Sequence, residues 1–114
     1  MKYAILMTVV PGAWEQLTPA EQTEVFRKHG EFRAALEREG KYVWSGRLDG
    51  AASARTVRRD AGGRTRVHDG PFAETKEVLG GIYVIEAGSL AEALDWAERG
   101  RFMAGSNEVR PFLE

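Results

Sequence analysis

Apolar residues along this 114-residue chain change their spacing several times, and each change marks an element. Tyr3-Ala4-Ile5-Leu6-Met7-Thr8-Val9-Val10 is a near-continuous apolar run, which suits a central strand covered on at least one face. Pro11-Gly12 ends it. Thr18-Pro19-Ala20-Glu21 has the form of a capping box with proline at the first helical position. It predicts a helix to about Glu39, stopped by Gly40. The inward stripe of that helix reads Val25, His29, Phe32 and Leu36, with Phe26 and Ala35 alongside. Lys41 to Leu48 reads as a second strand, and Asp49 to Ser53 as a loop carrying little pattern.

Two short alternating runs follow, Thr56 to Arg59 and Thr65 to His68. They join across Asp60-Ala61-Gly62-Gly63, which is a hairpin signal. Gly80-Gly81 reads as a turn, and Gly81 to Glu86 as a strand. Ser89-Leu90-Ala91-Glu92 is a second capping box, opening a helix with Leu90, Ala93, Leu94 and Ala97 inward and Gly100 at its end. Glu108 to Phe112 makes the last strand, whose Pro111 suits an edge or a terminus. Setting the hairpin aside leaves strand-helix-strand-strand-helix-strand. That order is an α+β, ferredoxin-like βαββαβ fold with a β-hairpin inserted between the second and third core strands. One domain is expected over residues 1–114. With both helices on one face of the sheet, the other face is left open. The long strands are apolar on alternate residues in both directions, notably at Tyr3, Ile5, Tyr83 and Ile85, so a second copy is the expected cover.

Composition narrows the function classes. A formal net charge of −1 gives no global field to draw in nucleic acid or an anionic membrane. The arginines near the hairpin (Arg55, Arg58, Arg59, Arg64, Arg66) lack the exposed aromatics or reading helix that a nucleic-acid surface needs, and charged edges also keep a hairpin from aggregating. There are no cysteines, which excludes thiolate sites and fits a cytoplasmic protein. The apolar N-terminal run is too short to span a bilayer. Two histidines far apart in sequence match no metal-ligand spacing, and neither phosphate loop nor dinucleotide fingerprint is present, so no metal and no organic cofactor is expected.

One stretch is longer than a turn requires: His68-Asp69-Gly70-Pro71-Phe72-Ala73-Glu74. Asp69 can fold its carboxylate onto nearby N–H groups, Gly70 permits a positive φ, and Pro71 fixes φ while giving up a donor. Phe72 needs a place to bury its ring. Continued through Thr75-Lys76-Glu77 to Gly80-Gly81-Ile82-Tyr83, the stretch resembles the DGPF-domain branch of the YCII-related proteins. Met1-Lys2-Tyr3-Ala4-Ile5-Leu6 and Glu108-Val109-Arg110-Pro111 extend the likeness through nearly the whole chain. The resemblance implies a ferredoxin-like domain pairing as a dimeric α+β barrel.

Three residues are candidates for chemistry. His29 is either a general acid/base on the inward stripe or a buried histidine with a structural partner. The resemblance implies a His–Asp pair built on this helix histidine, with Asp49 in the loop after the second strand as the matching aspartate. Asp69 either caps its own turn or presents a carboxylate at the mouth of a cleft. Adjacent in a strand, His68 and Asp69 point to opposite faces and do not form a pair. Gly70, Pro71, Phe72, Glu74 and Tyr83 complete the candidate ligand site, with Phe72, Tyr83, Trp44 and Trp96 as core or interface anchors. Two functions follow. One is cofactor-free lyase- or isomerase-like proton transfer on a small organic molecule, the lyase-like form being what the resemblance implies; the other is a non-catalytic homodimeric module that binds a ligand or protein, for which the resemblance implies a regulatory link to sigma factors.

Overall fold

The computed structural model describes residues 1–72 and 75–113. Its elements in chain order are β1 (Lys2–Val9), α1 (Pro19–Arg38), β2 (Tyr42–Arg47), β3 (Arg55–Arg59), β4 (Thr65–Asp69), β5 (Val78–Glu86), α2 (Leu90–Arg99) and β6 (Gly105–Pro111). A single 3₁₀ turn, Ala51–Ser53, links β2 to β3. The main sheet has the order β2-β5-β1-β6, while β3 and β4 pair only with each other. All neighbours are antiparallel. This is the ferredoxin-like α+β arrangement with the hairpin inserted where the sequence places it.

Local chemistry explains the helix ends. Thr18 Oγ1 accepts the Glu21 amide at 3.1 Å, and Glu21 Oε1 accepts the Thr18 amide at 2.9 Å, so both halves of the capping box form. Gly40 ends α1 with φ +69°, a conformation that costs glycine little. At α2, Ser89 Oγ accepts the Glu92 amide, but Glu92 Oε1 reaches back one residue further, to Gly88.

The core lies between α1, α2 and one face of the sheet. Ile5, Leu36 and Ile85 are its largest fully buried members, joined by Tyr3, Met7, Phe32, Tyr83, Ala93 and Trp96. Tyr3, Ile5, Tyr83 and Ile85 therefore all face the helices, and none of them contributes to the open face as expected. The open face instead presents the alternate residues Ala4, Leu6, Ile82 and Val84, partly buried, with Trp44 54% exposed beside them. In α2 the buried positions are Ala93, Trp96 and Ala97. Leu90 and Leu94 are half-exposed, because the large Trp96 ring takes the inward position and turns Leu94 to the flank.

Gly80-Gly81 lies within β5 and not at a turn. Strand β5 pairs Met7 with Gly81 and Thr8 with Leu79, skipping Gly80 as a bulge, which glycine accommodates. That extends β5 back to Val78. Strand β6 likewise starts early, at Gly105, where the chain passes so close to β1 that an added Cβ would lie 2.0 Å from the Thr8 carbonyl oxygen. The molecule measures 49 × 42 × 19 Å with a radius of gyration of 16.1 Å, above the about 13 Å of a compact chain near this length. The hairpin, standing apart as its own sheet, accounts for the excess.

Two glycine substitutions test this packing in opposite directions. Gly30 sits mid-helix in α1 with no atom within 4 Å of an added Cβ. Gly30→Ala is expected to raise stability by about 0.5–1 kcal/mol. Gly105→Ala is expected to cost more than about 2 kcal/mol by prying β6 from β1. Urea denaturation measures both, and a wild-type midpoint for Gly105→Ala would contradict the close approach.

Candidate functional site

His29 occupies the inward stripe of α1, between Val25 and Phe32, and is partly buried. Tyr83 stands on β5 directly beneath, because alternation turns it toward the helices. The two side chains meet: His29 Nδ1 lies 2.9 Å from the Tyr83 hydroxyl oxygen. Their rings are nearly parallel at 5.9 Å between centroids, and Phe102 closes on His29 edge-to-face at 4.6 Å. Phe32 stands edge-on to both Tyr83 and Phe102, at 5.0 and 5.8 Å. The imidazole is thus held by one hydrogen bond and aromatic walls.

Burial shapes the electrostatics of this pair. Loss of water pushes His29 below its ordinary value of 6.5, and the positive charge of Arg47 adds to the shift. Burial also pushes the Tyr83 phenol up to about 12; Tyr42 adds to that shift, while Arg33 opposes it. Both groups are therefore neutral near pH 7. In one tautomer Nδ1–H donates to the phenol oxygen and Nε2 keeps a lone pair, which is a base. In the other the phenol O–H donates to Nδ1 and Nε2–H is a hydrogen-bond donor toward whatever faces it.

The expected aspartates are not part of this arrangement. Asp49 is exposed in the loop after β2, and its Oδ1 accepts the Gly50 amide at 2.8 Å. The Asp69 carboxylate is 91% exposed and lies 3.1 Å from Arg55 Nε, its residue directly across the hairpin. Among the described residues it does not cap its own turn. The turn is held by Gly70 instead, at φ +99°, whose N–H donates to the Ala54 carbonyl and whose carbonyl accepts from Thr56 Oγ1. Phe72 is 71% exposed beneath the Arg58 guanidinium, so it is not a core anchor. Pro71 is partly buried beside it, and Glu74 lies outside the described residues. Among the described members of the candidate set, then, His29 and Tyr83 are the pair brought together from distant elements.

Strand β2 supplies further residues that simple alternation hides. Its register with β5 pairs Tyr42 with Ile85 and Trp44 with Val84, skipping Val43. The bulge puts Tyr42 on the same face as Ser45 and Arg47, and Tyr42 Oη and Ser45 Oγ lie 2.8 Å apart. Arg33 of α1 covers the Tyr42 ring at 4.5 Å. Arg47 packs over Trp14 and Phe26, at 4.6 and 5.0 Å from their centroids. Among the described residues no three His, Cys, Asp or Glu side chains are placed to share a metal ion, and no helix is long and apolar enough to cross a membrane.

Fold and sheet order define the class, a ferredoxin-like α+β protein with its polar pair between helix and sheet. The chain belongs to the YCII-related domain family, whose model matches residues 1–114. An uncharacterized protein of Rhizobium meliloti (strain 1021) is 40% identical over 117 residues, spanning 97% of this chain and 91% of the relative. Among solved structures the chain is similar to 5-chloro-2-hydroxyhydroquinone dehydrochlorinase (TftG) from Burkholderia phenoliruptrix AC1100, in complex with 2,5-dihydroxybenzoquinone. The TM-score is 0.57 and the identity 17%, over 99% of this chain and 94% of that one. At that identity the likeness is one of fold.

The pair makes a pH prediction with a definite sign. Folded His29 binds a proton less readily than unfolded His29, so protons favour the unfolded chain. Stability is expected to fall as pH drops through 6.5 and below, and His29→Leu is expected to remove that component. Melting curves from pH 8 to 5 on both proteins check it; identical pH slopes would show that His29 titrates normally. Tyr83→Phe is expected to cost about 0.5–1.5 kcal/mol through the lost hydrogen bond.

Proposed function

We propose that this protein is a small acid/base enzyme of lyase or isomerase type, in which His29 moves a proton on a small organic molecule and Tyr83 holds its ring. The observation that carries the reading is the 2.9 Å contact of His29 Nδ1 with Tyr83, at an imidazole that burial keeps neutral. A neutral imidazole with Nε2 unoccupied accepts a proton from a carbon next to a carbonyl. The imidazolium that forms keeps its Nδ1–H on the phenol oxygen and stays in place. Returning that proton to another carbon completes an isomerisation; loss of a leaving group from the neighbouring carbon, with the proton passed to water, completes an elimination. The step uses neither Asp49 nor Asp69. The dehydrochlorinase activity named for the fold neighbour is an elimination, which supports this class of chemistry on the same scaffold.

The experiment is solvent-deuterium incorporation into a panel of small carbonyl compounds with acidic C–H bonds, followed by NMR. Wild type is expected to exchange at least one member, and His29→Gln to lose about 10²–10⁴ of that rate. Exchange is expected to rise with pH through a value below 6.5 and then level off, since the neutral imidazole is the active form. No exchange with any member, or an active His29→Gln, would leave the non-catalytic binding module as the better reading.

We also infer a homodimer. Leu6, Ile82, Val84 and Trp44 form an apolar strip on the open face, with no element of the same chain over it among those described. A second copy seated there would remove the strip from water. Light scattering behind a sizing column is expected to give twice the chain mass, and a monomer at micromolar concentration would overturn the assembly without touching the proton-transfer reading.

A further inference from the structure

Arg47 is the cation nearest in role to His29 and the one whose partners are least like those of its neighbours. Across the site Arg33 is tied to Glu37, and on the far side of α1 Arg27 is tied to Glu24. Among the described residues Arg47 has no carboxylate. It is held flat against aromatic faces, Trp14 and Phe26, which fix the plane of the guanidinium without using its N–H donors. Those pads are themselves fixed. Trp14 stands edge-to-face with Phe26 at 5.2 Å, and its carbonyl accepts from Gln22 Nε2 at 3.0 Å.

Register places this cation beside the catalytic pair. Arg47 pairs with Gly81 and Ser45 with Tyr83, so Arg47 and Tyr83 rise from the helix-facing side of adjacent strands, one alternation apart. Phe26 is one helical turn from His29 on α1. Of the two remaining positions at this corner, Ser45 carries only a hydroxymethyl group, hydrogen-bonded to Tyr42, and Gly81 carries no side chain. An added Cβ there would meet only the Gly46 carbonyl oxygen at 3.2 Å and Arg47 Cα at 3.8 Å among the described residues. No α1 side chain comes within 4 Å of it. Gly81 is itself buried, so this corner offers a ligand the exposed Arg47 and the aromatic rings around it, not an open floor.

We propose that Arg47 is the anion-binding residue of the His29 site, and that the ligand is a small planar organic carboxylate. The fork of N–H groups left free by the aromatic pads matches the two oxygens of a carboxylate. A flat ligand body then lies against the aromatic rings beside Arg47, with its reacting end toward the partly buried His29. The inference rests on the acid/base reading of His29 for its placement, and it names the class of molecule on which that chemistry would act.

Equilibrium binding of benzoate and of benzamide, followed by NMR on the full chain, tests it. Benzoate is expected to bind saturably and to shift the Arg47 Nε and His29 ring signals, and benzamide to bind at least about tenfold more weakly. Arg47→Met keeps the aliphatic packing on Trp14 and Phe26 and is expected to lose the preference for benzoate. Arg47→Lys is expected to restore part of it. Benzoate that fails to bind, binds as weakly as benzamide, or binds Arg47→Met as well as wild type would overturn the assignment. Because binding is read without turnover, an inert protein that still prefers benzoate through Arg47 would sink the proton-transfer reading alone, and an active protein indifferent to Arg47 would sink this one alone.

Discussion

The packing of α1 onto the two central strands is the interaction on which the rest depends. Leu36 from the helix joins Ile5 of β1 and Ile85 of β5 in one buried cluster, and these three are the largest fully buried side chains among the described residues. Each is worth about 1.5–3 kcal/mol removed from water. They fix the rotation of α1 about its axis, since Phe32 and Leu36 must both point at the sheet. Once that is set, His29, one turn back on the same stripe, has no choice but to stand over β5. The position of the imidazole follows from hydrophobic packing two turns away.

The same packing sets the chemistry of the pair. Tyr83 is a core residue, edge-on to Phe32, and also the hydrogen-bond partner of His29. Withdrawal from water disfavours charge on both members, lowering one and raising the other. A carboxylate in the place of the phenol would have stabilised imidazolium and pulled His29 upward. A phenol orients the ring without that pull, so the site holds a neutral imidazole ready to take a proton near pH 7. Arg47 works in the same direction, because its charge opposes a second positive charge beside it.

Periodicity and punctuation made most of the fold legible in the sequence. The Thr18–Glu21 box, the Gly40 stop and the stripe through Val25, Phe32 and Leu36 lie within one element, and local rules govern them. What escaped depends on pairing between distant segments. The skipped Gly80 and Val43 shift register within β5 and β2, and no count of alternation along one strand reveals where its partner bulges. The Val43 bulge is what sets Tyr42, Ser45 and Arg47 on a common face, so the β2 side of the site was hidden for that reason. In α2 the error was one of volume: Trp96 outcompetes Leu94 for the inward position. His29 was visible because helical spacing alone placed it inward, while its partner Tyr83 came from a strand with two possible faces.

The segment that looked most like a site does structural work at a junction. Gly70 uses both its backbone groups at the root of the hairpin, to Ala54 and to Thr56. Arg58 donates to the Phe72 carbonyl at 2.7 Å and covers the Phe72 ring, tying the exit of the hairpin back onto β3. A little further on, Glu77 accepts from Thr8 Oγ1 at 2.6 Å, a bond that holds its carboxyl below the usual range and pins the entry to β5 against β1. An isolated two-stranded hairpin is marginal in water, so its root must be fixed by specific bonds where it leaves the sheet. Those bonds call for a glycine at positive φ and for particular side chains around it, which explains a word longer than a turn needs. The site we propose is built instead from residues far apart in sequence, His29, Tyr83 and Arg47, which only the packing of α1 on β5 and β2 assembles.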